Sequence, residues 1–438
     1  MQRLTTLFVL FVLASGCAFS QNIQYVEYDM PNGLKVLLHE DHSTPIVAVT
    51  VMYHVGSKNE KPNRSGFAHF FEHLLFEGSD NIKRGEFDDY INNAGGTNNA
   101  NTWYDRTFYY EVLPSNQLAL GLWLESERML HAKVEQIGIE TQRQVVKEER
   151  RQRIDNQPYG KLLEETLKRV FKVHPYKSSV IGSMEDLDAA QEADYVQFYK
   201  DFYRPDNAIL SIAGDINIAQ AKELINVYFK DIPKGKGAIQ RTFPQEPPMT
   251  KVTRDTVYDD VQLPAVILGY HIPAQGTKDF YAVQMLGQLL SQGESSRMNK
   301  ILVDEQQKAV AAGSFPLQLE DPGANLTYAI ANMGVNPGEL EKSMDAIIDD
   351  LQKNLVSEKE FQKLQNQIEN DFVSANDNVQ GIAESLANYE MYFGDANLIN
   401  TELDRYRKVT REDLRAAANK YFNKNARVVL YWMPKTAP

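Results

Sequence analysis

Cysteine is all but missing from this chain of 438 residues; the single one is Cys17. One thiol forms no intrachain disulfide, and a thiol inside a removable leader leaves neither a thiolate metal ligand nor a cysteine nucleophile. Any metal must therefore be held by His, Asp or Glu. Positive charge is also in deficit: 46 Lys and Arg against 59 Asp and Glu give a net charge of -13. That balance argues against nucleic acid and anionic membrane surfaces as partners. Beyond the N-terminus, no apolar run reaches the roughly 20 residues of a membrane span.

What is present reads as a soluble globular protein, 43% hydrophobic and 24% charged, and long enough for two or three domains. Arg3 followed by the apolar run Leu7 to Leu13, with Ala18-Phe19-Ser20 before Gln21, has the form of a secretory signal peptide. Residues 1–20 are expected to be removed, which predicts a periplasmic or secreted protein. Ala14-Ser15-Gly16-Cys17 resembles a lipoprotein box with alanine where leucine is usual, so a lipid anchor on Cys17 is the alternative.

The sequence repeats itself at about half its length. Asp194 to Tyr203 has a helical pattern and runs into a strand at Ala208–Ile212; Asp413 to Phe422 does the same before Arg427–Tyr431. A period this long means two copies of one domain rather than a solenoid. Between them, 233–250 is rich in Pro and Gly and reads as a linker. The expected layout is a leader at 1–20, a first domain at 21–232, the linker, and a second domain at 251–438. Strands are expected at Gly33–His39, Ile46–Tyr53 and Asp105–Val112, and a helix at Leu118–Leu130. Strands and helices mix without regular alternation, which favours an α+β class.

His69-Phe70-Phe71-Glu72-His73 carries the chemistry. On a helix starting near Ser65, the two imidazoles four apart share a face and Glu72 falls beside them. Two histidines can grip one metal while the carboxylate reaches a water on it. H-x-x-E-H is the reverse of the commoner H-E-x-x-H zinc helix. A catalytic zinc takes a third protein ligand, and the charged helix at 139–151 offers Glu140, Glu148 and Glu149. Spacing alone does not choose among them. In the second half, Gln284, Gly287 and Gln288 stand where the first has His69, Glu72 and His73, so that copy has no ligands.

The stretch His69 to Gly78 resembles the signature of the pitrilysin or insulinase-type metallopeptidases, in the branch of mitochondrial processing peptidase and its bacterial relatives. Val145-Val146-Lys147-Glu148-Glu149 is similar to that family's third-ligand segment, Gly95 to Ala100 to its substrate-binding strand, and Arg204-Pro205-Asp206-Asn207 with Gly214-Asp215 to its domain-closing segment. The resemblance implies two homologous domains, each a mainly antiparallel sheet packed with helices, forming half of a clamshell. It implies one zinc held by His69, His73 and Glu149, with Glu72 as general base. Asn99 and Ala100 would pair with the backbone of a peptide by β-augmentation.

Two departures qualify this. Relatives often carry a glutamate where Gln142 stands; the amide could hydrogen-bond a ligand imidazole but adds no charge. Members active alone carry an Arg and a Tyr seven apart in the second half, where this chain has Val303 and Val310. Neither valine can donate to a substrate oxyanion. The resulting expectation is a zinc endopeptidase subunit, cutting peptides or unfolded segments, that works with a homologous partner lacking HxxEH but supplying the Arg and Tyr. A self-sufficient homodimer and a non-catalytic scaffold subunit are the alternatives. The remaining histidines (His39, His42, His54, His131, His174 and His271) show no ligand spacing and are expected to be ordinary surface or core residues.

Overall fold

Ile46–Tyr53 and Ala208–Gly214 are apolar along nearly their whole length, and so is Ala265–His271. Strands of this kind demand cover on both faces of a sheet. The computed structural model, which describes residues 22–435, places them at the centres of two sheets. The leader and Cys17 lie outside the described residues. The first sheet contains β1 (Val26–Asp29), β2 (Lys35–Glu40), β3 (Ile46–Tyr53), β4 (Thr97–Thr102), β5 (Thr107–Pro114) and β6 (Ala208–Gly214), in the order β1-β2-β6-β3-β5-β4. The second contains β7 (Thr253–Asp259), β8 (Ala265–His271), β9 (Ala309–Pro316), β10 (Ala324–Ala331) and β11 (Val428–Pro434), in the order β7-β11-β8-β10-β9.

Setting β1 aside, the two sheets have one topology. In each, the last strand inserts between the first and second, parallel to the first, and every other pairing is antiparallel. Helices Glu192–Phe202 and Arg411–Tyr421 lead into the two last strands, as the sequence repeat predicts. The fold is α+β and built of two copies. Residues 230–252 contain no helix or strand. The strand expected from Asp105 starts later, at Thr107, because the Trp103 N–H donates to Arg106 O at 2.8 Å and closes a turn there.

The two sequence halves interlock in space. Helix Val379–Phe393, from the second half, lays Val379, Ile382, Ala383, Leu386 and Ala387 on the outer face of the first sheet against Leu37, Ala48, Met52, Ile209 and Ala213. Helix Leu162–Val170, from the first half, packs Leu167 and Val170 against Ala265, Ile267, Val428 and Leu430 of the second. The contact at Gly269 is so close that an added Cβ would stand 2.7 Å from Val170 Cγ2. Each half thus covers the face that the other cannot.

A buried charge cluster joins the same halves. Lys58, 2% exposed, pairs with Asp105 at 2.7 Å, with Asp321 at 3.3 Å and with Glu320. His54 Nε2 lies 2.9 Å from Glu320, His174 Nε2 lies 3.5 Å from Asp321, and Tyr176 donates to Asp105 at 2.7 Å. His54 and His174 are therefore more than isolated surface or core histidines. Their partners Glu320 and Asp321 lie far away in sequence, on the β9–β10 connection.

Two tests follow from this packing. Leu386→Ala removes a fully buried side chain from the covering helix and should cost about 2–5 kcal/mol; chemical denaturation should show it as a shifted single transition, both halves unfolding together. Burial alone would raise the pKa of Glu320, but His54 and Lys58 outweigh it and hold the carboxyl at about 2 instead of 4.5. Because the folded value is depressed, this stabilisation is complete above about pH 4.5 and is lost as pH falls toward 2. Glu320→Gln should abolish that part of the acid dependence in a denaturation series.

Candidate metal centre

The helix Phe67–Leu74 divides its residues between two faces. Phe67, Phe70, Phe71 and Leu74 recur at helical spacing and are buried in the first core. Phe67 stacks on Tyr195 with centroids 4.5 Å apart, and Phe71 stacks on Phe198 at 5.6 Å. The opposite face is left with His69, Glu72 and His73. The helix begins at Gly66, whose φ of +90° and contact with Ile181 O, 2.7 Å from a built Cβ, admit no side chain. Glu60 accepts the N–H groups of Gly66 and Ala68, both at 2.9 Å, satisfying donors that the helix start leaves open. Further along the helix, Tyr109 donates to Phe71 O at 3.0 Å. Just past its end, Arg128, caged by the rings of Phe76, Phe87 and Tyr109 and paired with Glu111 and Glu125, lies 3.5 Å from Leu75 O.

Helix Gln136–Arg150 brings Glu149 to this face. Glu149 Oε2 lies 3.4 Å from His69 Nε2 and 3.1 Å from His73 Nε2. One ligand atom from each of the three residues falls within 4.8 Å of the others. Glu148 points elsewhere, to Arg151 and Gln152 at 3.1 and 3.0 Å, and Glu140 reaches Arg143 and Gln144. Of the three glutamates that spacing left open, Glu149 is the one with an oxygen beside both imidazoles. Arg153, one turn on, pairs with the other Glu149 oxygen, Oε1, at 2.7 Å. That contact turns Oε2 toward the imidazoles.

The electrostatics suit a cation. Burial, then the neighbouring His73, push His69 down to about 4, so its ring is neutral near pH 7. Burial would raise Glu149, but the hydrogen bond with His73 and the nearby His69 and Arg153 lower it. Two imidazole nitrogens and a carboxylate oxygen thus converge on one point, which is the donor set a zinc ion takes. Glu72 stands outside that set. Its carboxyl is raised by burial, against the hydrogen bond from Thr102 Oγ1 to Oε2 at 2.6 Å.

Asn99 and Ala100 lie on β4, the outer strand of its sheet, paired on one side only with Tyr110 and Tyr109 of β5. Gln142 departs from expectation: its amide donates to Glu77 Oε1 at 2.5 Å and to neither imidazole. Glu77, one turn past His73 and also bound by Arg84, is the stronger acceptor and captures it. His69 Nδ1 and Gln142 Oε1 are both buried without a partner. Thr102 and Arg153 are the functional neighbours that sequence reasoning missed; neither has a spacing relation to the motif.

In the second copy, helix Lys278–Ser291 occupies the place of the metal helix. Gln288 and Gln292 donate to Asp371 Oδ2 at 3.2 and 2.9 Å, so amide–carboxylate bonds stand where a metal could be. Gln284, Gln288 and Asp371 face a cavity of about 880 Å³ whose far wall includes Thr102. Val303 is partly buried against the second core and Val310 is exposed on β9.

Comparison with known proteins matches two successive stretches of the chain. The family described as insulinase (peptidase family M16) matches residues 35–183, and the peptidase M16 inactive domain matches 190–368. The zinc protease PqqE of Helicobacter pylori is 32% identical over 408 residues, covering 92% of both chains. A crystal structure of a protease from Helicobacter pylori superposes with a TM-score of 0.90 at 31% identity, over 94% of this chain and 100% of that one. The periplasmic protease PqqL of Escherichia coli shares the fold at a TM-score of 0.75 and 18% identity; 96% of this chain matches 48% of that longer one.

Metal retention tests the ligand set. Glu149→Gln should lose zinc on dialysis against a chelator that the wild-type chain withstands, and Glu148→Gln should keep it, both read by elemental analysis. Loss from the second variant and not the first would move the ligand by one residue.

Proposed function

This chain belongs to the insulinase, or M16, family of peptidases, and from that premise we propose that it is a zinc-dependent endopeptidase subunit acting on peptides or unfolded segments. The convergence of His69, His73 and Glu149, with Glu72 alongside, carries the reading. We take 21–232 as the catalytic half and 251–438 as the non-catalytic copy. A zinc ion held by the three ligands would lower the pKa of a water toward about 7 and polarise the scissile carbonyl. Glu72 takes the proton of the attacking water and returns it to the leaving amine. Its burial suits it to that exchange, because desolvation raises the carboxyl above its ordinary value and so strengthens it as a base.

The free edge of β4 supplies the substrate's place. A peptide added there antiparallel would pair with the backbone at Asn99 and Ala100 and run past Glu72 as an extended strand. Peptides and unfolded segments adopt such an extended strand readily, which favours them as substrates. The expected leader and the PqqL likeness support a periplasmic or secreted setting; among the described residues no helix is long and apolar enough to cross a membrane.

Oxyanion stabilisation is the incomplete part. Val303 and Val310 offer no hydrogen bond, so a homologous partner chain lacking HxxEH would supply an Arg and a Tyr across a closed chamber. That PqqL is about twice this chain's length supports the pairing of two such units.

Two measurements test the proposal. Glu72→Gln should retain zinc and lose at least about a hundredfold in peptide hydrolysis, the worth of a general base; full activity in the zinc-loaded variant would overturn the assignment. The isolated chain should hydrolyse peptides at least about a hundredfold more slowly than its mixture with the partner, the cost of a missing oxyanion donor. Equal rates from homologue-free protein would replace the heteromer with the self-sufficient homodimer.

A further inference from the structure

Thr102 has no part in the ligand set or the substrate pairing described above, yet it ends the strand on which substrate is proposed to add. Side chains alternate along β4, so Ala100 and Thr102 share one face and Asn99 and Asn101 the other. The first face looks toward the metal helix: Ala100 packs against the core that contains Phe70 and Leu74, and Thr102 Oγ1 donates to Glu72 Oε2 at 2.6 Å. Asn101, on the second face, accepts from Arg106 at 2.8 Å, and Arg106 reaches Glu384 of the covering helix at 2.9 Å.

The backbone at Thr102 is held by its pairing with β5 and by the turn that follows it. Thr102 pairs with Thr107 across the β4–β5 ladder, and the Thr107 hydroxyl donates to Val55 O at 2.9 Å. The Trp103–Arg106 hydrogen bond closes the hairpin immediately after it. A β-branched side chain adds little freedom at χ1, so the hydroxyl projects from a fixed point. Glu72, by contrast, has three rotatable bonds and a carboxylate that turns freely unless something engages it.

We infer that Thr102 is a positioning residue for the general base. Its hydroxyl engages Oε2, sets the plane of the carboxylate, and leaves Oε1 to receive the proton of the attacking water. This rests on the peptidase reading given above and adds a coupling to it. Substrate backbone and base are registered by the same short strand, Asn99 and Ala100 toward the peptide and Thr102 toward Glu72. A peptide seated on β4 is thereby aligned with the base without any movement of the metal helix.

Valine has the shape of threonine without the donor, and serine keeps the donor without the methyl. A misplaced base costs rate rather than binding, up to about a hundredfold for a displacement near 1 Å. With zinc-loaded full-length protein and its partner, Thr102→Val should lower kcat about 10- to 100-fold with KM within about threefold, and Thr102→Ser should recover most of the loss. An unchanged kcat in the valine variant, or a loss carried by KM, overturns the inference. A crystal structure of zinc-loaded Thr102→Val gives a reading independent of turnover: the Glu72 carboxylate should occupy more than one rotamer, and a single unchanged rotamer again overturns it. If the wild-type protein cleaves no peptide under any condition but the carboxylate disperses in the valine variant, the peptidase reading falls and the positioning contact stands.

Discussion

Strands that are apolar on both faces cannot be exposed on either, and this constraint organises the molecule. β3, β6 and β8 are all of this kind, buried from end to end or nearly so. Each copy packs its own helices on one face of its sheet and has none left for the other. The missing cover is supplied reciprocally, by Val379–Phe393 on the first sheet and Leu162–Val170 on the second. Burial of this extent, at about 25 cal/mol per Å² of apolar surface, makes the join between the copies a core rather than a wet seam. The Lys58 cluster adds direction to it, since a buried cation needs its carboxylates in place. With the faces thus occupied, β4 stays uncovered along its outer edge.

The metal helix shows how a short element can be made rigid. Eight residues hold little helical stability of their own. Aromatic packing on one face, Glu60 at the start, Tyr109 in the body and Arg128 beyond the end fix it from four directions. His69, Glu72 and His73 project from a frame already fixed by the fold. Burial does the electrical tuning in the same place: it keeps His69 neutral, raises Glu72, and is overcome at Glu149 by the charges and hydrogen bond around it.

The second copy keeps the topology and changes the chemistry. Gln284 and Gln288 take the positions of His69 and His73, and Asp371 is engaged by amides rather than facing imidazoles. Amide donors stabilise a carboxylate by hydrogen bonding and need no metal to do so. What results is a cavity of about 880 Å³ beside the β4 terminus, polar where the first copy has ligands and ringed by aromatic side chains. Duplication of a fold has yielded one half in which two imidazoles and a carboxylate converge and one half in which amides take their place.

Sequence alone determined whatever depends on neighbours along the chain. H-x-x-E-H specifies its geometry because a helix puts positions three and four apart on one face, and the apolar runs at Ile46 and Ala208 specify doubly buried strands. The helix–strand repeat specified two copies, since each copy solves the same local problem. Tertiary structure decided what depends on distant segments meeting. Glu149 was separated from Glu148 and Glu140 by the rotation of one helix against another, a matter of about 100° per residue that composition does not reveal. Gln142 went to Glu77 because a carboxylate is a stronger acceptor for its amide than an imidazole. The reciprocal helices, the Lys58 cluster joining residues 58, 105, 320 and 321, and the Thr102–Glu72 hydrogen bond each required the sheets to be packed before they existed. A pattern in one segment carries no record of the side chain that a second segment will bring to it.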